Sequence, residues 1–221
     1  MSGQALILGA LVRQHWHSAD GFFERVKADL AQPGGLGFRA AFASLARRVG
    51  SGPVAPGSVA SPVELGPVPR PHWTLVDYAR AALLAQSFEV VPRLEQAKSM
   101  LQLFEWGEIG EQVSLLRTLA LWDAPERFLE TALQACRTNA KLVFEAIACE
   151  NTFPAAHFPA LNFNQAVLKA IFMEVSTRRI EGLQERITPE LQRMAADYAS
   201  ERRAAGRLVP IDTDYLVNYG A

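Results

Sequence analysis

Cysteine is nearly missing from this chain. Cys136 and Cys149 are the only two in 221 residues, they form no C-x-x-C pair, and so few thiols cannot frame a disulfide-stapled secreted fold. Each sits inside or at the end of an apolar helical segment, the setting of a reduced, buried thiol in a cytosolic protein. A surplus of either charge is missing too: 22 Lys+Arg stand against 23 Asp+Glu, with both signs spread along the sequence. No basic face offers itself to nucleic acid and no acidic tail stands out, so no nucleic-acid partner is expected. The apolar run Ala5–Val12 stops at Arg13, far short of the roughly 20 residues that span a bilayer. Met1-Ser2-Gly3-Gln4 lacks the positive charge that opens a signal peptide. A cytoplasmic location is the expectation.

Chemical signatures are equally sparse. His157 has no companion nearby, since His15, His17 and His72 lie far off in sequence, and nothing like H-E-x-x-H or a pair of carboxylates accompanies it. No metal, no cofactor and no catalytic residue is therefore assigned. From Thr74 onward no strand pattern competes with helical periodicity.

What the sequence does hold is helices. Leu6, Ala10 and Leu11 recur at helical spacing, and Ser18 and Asp20 offer a cap to a second helix carrying Phe22, Phe23, Val26 and Leu30. Gln32-Pro33-Gly34-Gly35 ends it, and a third apolar face follows at Phe38, Ala41, Phe42 and Leu45. Between Gly50 and Pro71, six prolines alternate with glycine, serine and valine, a composition that sustains no helix and reads as a spacer. Helices resume at Thr74, capped with Asp77 three residues on. The next opens at Pro92 and is expected to bury Leu94, Ala97, Leu101 and Phe104. Asp123-Ala124-Pro125-Glu126 reads as a capping box, and the helix after Thr138-Asn139 is expected to turn Leu142, Val143, Ala146 and Ile147 inward.

These elements predict an all-α fold. Antiparallel helical pairs would stack as an irregular α-α superhelix of the HEAT kind, or form a helical bundle. The organisation expected is a helical unit over residues 1–49, a Pro/Gly/Ser-rich linker or surface crossing over 50–71, a helical domain over 72–212 and a tail over 213–221.

Beyond Ile147 the texture changes. Glu150, Asn151, His157, Asn162 and Asn164 crowd among Phe153, Phe158 and Phe163. Pro154 and Pro159 bias the residues before them toward extended backbone, which suits a stiff loop at a pocket rim. Asn162 is placed to cap the following helix, with Gln165 reciprocating. Lys169 stands in an apolar run, where its ammonium must reach solvent, a carboxylate or a carbonyl. Thr188-Pro189-Glu190 opens the last long helix, and Gly206 suits its end. Near that end, Arg202 or Arg203 could turn inward to hold an anionic group or the Glu150 carboxylate. The candidate ligand-binding set is therefore Glu150, Asn151, His157, Asn164, Lys169, Arg202 and Arg203, gathered at one hollow walled by apolar helices.

These residues also carry a resemblance. Phe144-Glu145-Ala146-Ile147-Ala148-Cys149-Glu150-Asn151, then Pro154 to Phe158, Phe163-Asn164-Gln165 with Val167-Leu168-Lys169-Ala170, Ile180 with Gly182-Leu183, and Asp197 through Arg207 are similar to the EboA family. The likeness is strongest over residues 108–212 and weaker from Thr74. It implies a metabolite-traffic protein that accompanies a prenyltransferase-like membrane protein and other enzymes of the same gene cluster, in the movement of secondary-metabolite precursors out of the cytoplasm. No catalytic residues are implied.

Three kinds of function follow as expectations. One is a non-catalytic binding protein for a small polar or anionic metabolite. Another is a protein–protein scaffold in which the polar stretch only holds the fold together. The third is an enzyme, for which Glu150 and His157 supply the single acid–base couple.

Overall fold

The computed structural model describes residues 3–50 and 72–220, with side chains from residue 6 onward. Among the described residues there are thirteen α-helices and no strand, so the fold is all-α. The chain divides into two compact units, one ending at Thr118 and the other beginning at Leu119. The spacer expected at 50–71 lies, from residue 51 on, outside the described residues.

The first unit contains α1 (Gly3–His15), α2 (Ala19–Val26), α3 (Leu36–Val49), α4 (Leu75–Val90), α5 (Arg93–Trp106) and α6 (Ile109–Thr118). Its centre is α4. Every residue from Val76 to Ala85 is buried, and a helix apolar nearly all round is one that neighbours enclose. Ala79, Ala81, Ala82 and Ala85 leave room for close approach, and α1, α3 and α6 all pack against it. The helices of residues 3–50 therefore share a compact unit with α4 rather than standing apart. Thr74 and Asp77 close the expected capping box: the Thr74 hydroxyl accepts from Asp77 N at 3.3 Å, and Thr74 N donates to Asp77 Oδ2 at 2.8 Å. Ser18 makes no side-chain cap. Asp20 pairs instead with Arg13.

Helix α5 corrects the sequence reading. Leu94 is 96% exposed, and the buried face is Gln96, Met100, Leu103 and Phe104. A polar residue disguised that face. The Gln96 carboxamide donates to the carbonyls of Phe88 and Val91, both at 3.0 Å, and so serves the orphan acceptors at the end of α4.

The second unit contains α7 (Leu129–Arg137), α8 (Lys141–Ala148), α9 (Phe153–His157), α10 (Ala160–Phe172), α11 (Leu183–Arg186), α12 (Pro189–Ala204) and α13 (Ile211–Val217). Its core includes Phe128, Val143, Phe144, Phe153, Phe163, Val167, Leu191 and Leu216. Thr188 caps α12 by accepting from Leu191 N at 3.2 Å, and Gly206 takes the left-handed conformation after it (φ 65°).

Four local expectations fail in this unit. Asp123 caps nothing: a 3-10 turn, Pro125–Phe128, precedes α7 behind a left-handed Ala124 (φ 46°). Leu142 points out, 63% exposed, while Phe144 takes the inward place. The stretch after Asn151 is helical, because Pro154 sits in the first turn of α9, where its missing N–H is not needed. Asn162 is no cap, since α10 has already started at Ala160 behind Pro159. The expected tail from 213 is mostly helix too: α13 buries Thr213 and Leu216 and packs on α12.

Candidate functional site

The polar stretch is held by its own neighbours. Glu150 sits at a left-handed backbone position (φ 45°), which is strained for a residue with a Cβ. Three bonds to one residue hold it there. Arg179 donates from Nε to Glu150 Oε1 at 2.7 Å and from Nη2 to Oε2 at 3.0 Å, and Glu150 N donates to the Arg179 carbonyl at 2.8 Å. Arg179 also lies 3.3 Å from Glu145. This forked, two-carboxylate setting raises the Arg179 pKa above its ordinary value, the Glu150 bond being the main cause.

Asn151 is 4% exposed and works on the backbone. Its Nδ2 donates to the Ala146 carbonyl and its Oδ1 accepts from Phe153 N, both at 3.0 Å, which ends α8 and begins α9. His157 packs its ring against Phe153, centroids 4.8 Å apart. Asn164 is 3% exposed and donates to Met194 Sδ at 3.8 Å. Arg186, which the sequence reading passed over, donates to the carbonyls of Ala155 and Phe158 and lies 4.5 Å over the Phe163 ring. Gly182 makes that packing possible: a Cβ there would stand 2.6 Å from the Ala155 Cβ.

The arginines of α12 are not turned toward Glu150. Arg202 donates twice to the Leu208 carbonyl, at 2.9 and 2.8 Å, and Arg203 stands 3.7 Å from Asp214. Both brace the turn into α13. The carboxylate expected to meet them is taken by Arg179.

Lys169 resolves its burial through carbonyls. Its ammonium donates to Cys136 O at 2.8 Å and Thr138 O at 2.7 Å, capping the C-terminal end of α7, and it lies 5.6 Å from the Phe144 ring centre. Beside it is a hollow of about 200 Å³ between α7 and α10, lined by Leu133, Cys136 and Arg137 on one side and Asn162, Gln165 and Lys169 on the other. Burial pushes the Cys136 thiol up to about 12, with Lys169 pulling the other way. A larger hollow, about 510 Å³, has Thr177, Arg178, Gln184, Glu185 and Tyr215 on its walls. It sets an acid against a base and gathers no group of like-charged donors. Of the seven candidates, Lys169 lines the first hollow, and none lines the second. The structure thus does not gather the seven at either hollow.

A second polar group, in the first unit, escaped the sequence reading apart from Asp77. Asp77 and Arg80 are 3% and 4% exposed. Asp77 meets Arg117 Nη1 at 2.6 Å and accepts from the Ser114 hydroxyl at 2.6 Å. Arg80 donates to Ser114 Oγ at 3.0 Å and to the carbonyls of Phe42 and Gly110. Burial lowers the Arg80 pKa, and Glu111 opposes the shift. The legible signal was an arginine inside the apolar run Tyr78 to Ala85. These bonds run between helices, so the cluster fastens α3, α4 and α6.

The model of one family, metabolite traffic protein EboA, matches residues 9–218. The chain belongs to the EboA family. The match takes in α2 and α3 as well as the C-terminal half, so membership reaches far beyond the stretch after Thr74 that carried the resemblance. No curated protein matches the chain, and no solved structure does. Among the described residues, no helix of this EboA-family protein is long and apolar enough to cross a membrane.

Proposed function

We propose that this EboA-family protein serves metabolite traffic as a non-catalytic helical adaptor in the cytoplasm, docking on a partner that handles a secondary-metabolite precursor. The supporting observation is that Glu150 and Asn151, the polar groups at the head of the 149–165 stretch, hold the fold. Both Glu150 oxygens face Arg179, and the His157 ring packs on Phe153. General acid–base chemistry needs a positioned pair within hydrogen-bond reach of a substrate, and the Glu150 half of the one candidate pair is held by Arg179.

The surface offered to a partner is the outer edge of α10. Leu161 and Phe172 are 58% and 70% exposed, and eleven residues on a helix return to within about 20° of the same direction. The partner proposed is the prenyltransferase-like membrane protein or another enzyme of the same gene cluster. Two measurements test the reading. His157→Asn leaves precursor export in cells unchanged, whereas loss of a general base would lower it by about a hundredfold or more. The Leu161→Glu/Phe172→Glu variant folds but no longer co-purifies with the tagged cluster partner. Retained binding would remove the adaptor edge.

A further inference from the structure

The hollow between α7 and α10 is not explained by an adaptor role. We propose that it binds a small oxyanion, the carboxylate or phosphate group of a low-molecular-weight ligand. The reading stands independently of the adaptor proposal.

The walls argue for charge of one sign. Lys169 and Arg137 bring two cations, Asn162 and Gln165 bring two carboxamides, and no acidic side chain is among the residues lining the hollow. An ammonium carries three N–H donors, and the Cys136 and Thr138 carbonyls take two of those on Lys169, so one remains. Those carbonyls belong to the end of α7, whose negative dipole would otherwise repel an anion. Lys169 caps it and offsets that repulsion with part of its charge, which leaves Arg137 as the cation not engaged by the helix end. Arg137, Asn162 and Gln165 make no side-chain hydrogen bond among the described residues, so their donors are available. The Cys136 thiol remains un-ionised at neutral pH, held up at about 12, and adds no negative charge to the wall.

Size and floor narrow the ligand. About 200 Å³ is below the roughly 300–1,000 Å³ of cavities that take drug-sized molecules and equals about seven water volumes. Leu133 and Ala166 supply the apolar floor. A short aliphatic acid or a small phosphate monoester fits this description, whereas a nucleotide or a long-chain lipid is too large.

The test titrates the full chain with inorganic phosphate and, separately, with acetate, at constant ionic strength set by chloride. Binding is followed by calorimetry and by the side-chain amide resonances of Asn162 and Gln165. Saturable binding of either anion is expected, with both resonances shifting along the same isotherm. Arg137 and Gln165 are exposed, so Arg137→Gln and Gln165→Glu should fold normally, as checked by circular dichroism and thermal melting. Each should weaken the anion by about tenfold or more, the loss of one charge-assisted bond. Shifts that rise linearly without saturation for both anions would overturn the site. So would affinities unchanged in both variants. Failure of the α10 edge variant to lose its partner would leave this result untouched, so the two readings fail separately.

Discussion

Replacing Asp77 by asparagine keeps the shape of the side chain and removes one charge from a place that water hardly reaches. The Asp77 side chain is 4% exposed and that of Arg117 is 20%. Four donors converge on it: Arg117 at 2.6 Å, the Ser114 hydroxyl at 2.6 Å, Thr74 N at 2.8 Å and the Thr74 hydroxyl at 2.9 Å. Arg80, 4% exposed, joins through Ser114. Without the carboxylate, Arg117 would lose its anionic partner and Arg80 one of the two negative charges that favour its charged form. Breaking a buried pair by removing one partner costs about 3–5 kcal/mol, a large share of the roughly 5–15 kcal/mol that stabilises a folded domain. For a chain of this size the melting temperature should fall by about 2–4 °C per kcal/mol. Asp77→Asn should therefore melt roughly 6–20 °C below the parent. The control is Asp20→Asn, whose pair with Arg13 is 74% exposed on the aspartate side and should change stability by no more than about 1 kcal/mol. Urea unfolding followed by circular dichroism reads both variants. Because Asp77 and Arg117 touch, Asp77→Asn/Arg117→Met should lose less than the sum of the single changes. Equal midpoints for Asp77→Asn and Asp20→Asn would refute the assignment of this cluster as the fastening of the first unit.

Two further outcomes follow from the second unit. Burial pushes the Cys149 thiol up to about 12, whereas an unfolded thiol ionises near about 8.5; the folded state thus keeps a proton that the unfolded state releases. Stability from this group is complete below the unfolded value and drains as pH rises toward the folded one, at a slope approaching about 1.4 kcal/mol per pH unit between the two values. Cys136 shifts in the same direction, so Cys136→Ala/Cys149→Ala should flatten the alkaline slope of urea midpoints, and an unchanged slope would exclude the thiols. Gly182 and Gly206 both have left-handed backbone (φ 69° and 65°), but a Cβ meets Ala155 at 2.6 Å at the first and nothing within 4 Å at the second. Gly206→Ala should cost about 1 kcal/mol and Gly182→Ala about 1–3 kcal/mol more, compared by thermal melting; equal losses would mean that α9 does not pack on that turn.

The helical class was legible because apolar residues recur at spacings of three and four, and caps such as Thr74 with Asp77 and Thr188 announce themselves. Faces were less so. On α5, a glutamine that caps the preceding helix occupies a core position, and periodicity counts only apolar residues, so the stripe was assigned to Leu94 instead of Met100 and Leu103. The error at Asn162 has a different origin. Proline and asparagine both mark helix starts, and Pro159 acted first. Within the polar stretch the residue types were legible but their partners were not, because Arg179 and Arg186 come from elements 28 to 31 residues away in sequence. An arginine that bonds a carboxylate or carbonyl looks in sequence like one that waits for a ligand. Only the fold separates the two cases, and it places Arg137, with no side-chain bond to another described residue, at the same hollow as Lys169.

The Asp77 cluster has a consequence for how the chain is made. Arg80 needs acceptors at Phe42, Gly110 and Ser114, which lie 30 to 38 residues away on either side. A nascent chain that has emerged only as far as α5 would hold a guanidinium with Phe42 alone of its three partners and a half-matched carboxylate, between helices otherwise ready to close. The ribosome must deliver Arg117 before the N-terminal half can lock, so fragments stopping short of it should be cleared by proteases rather than accumulate.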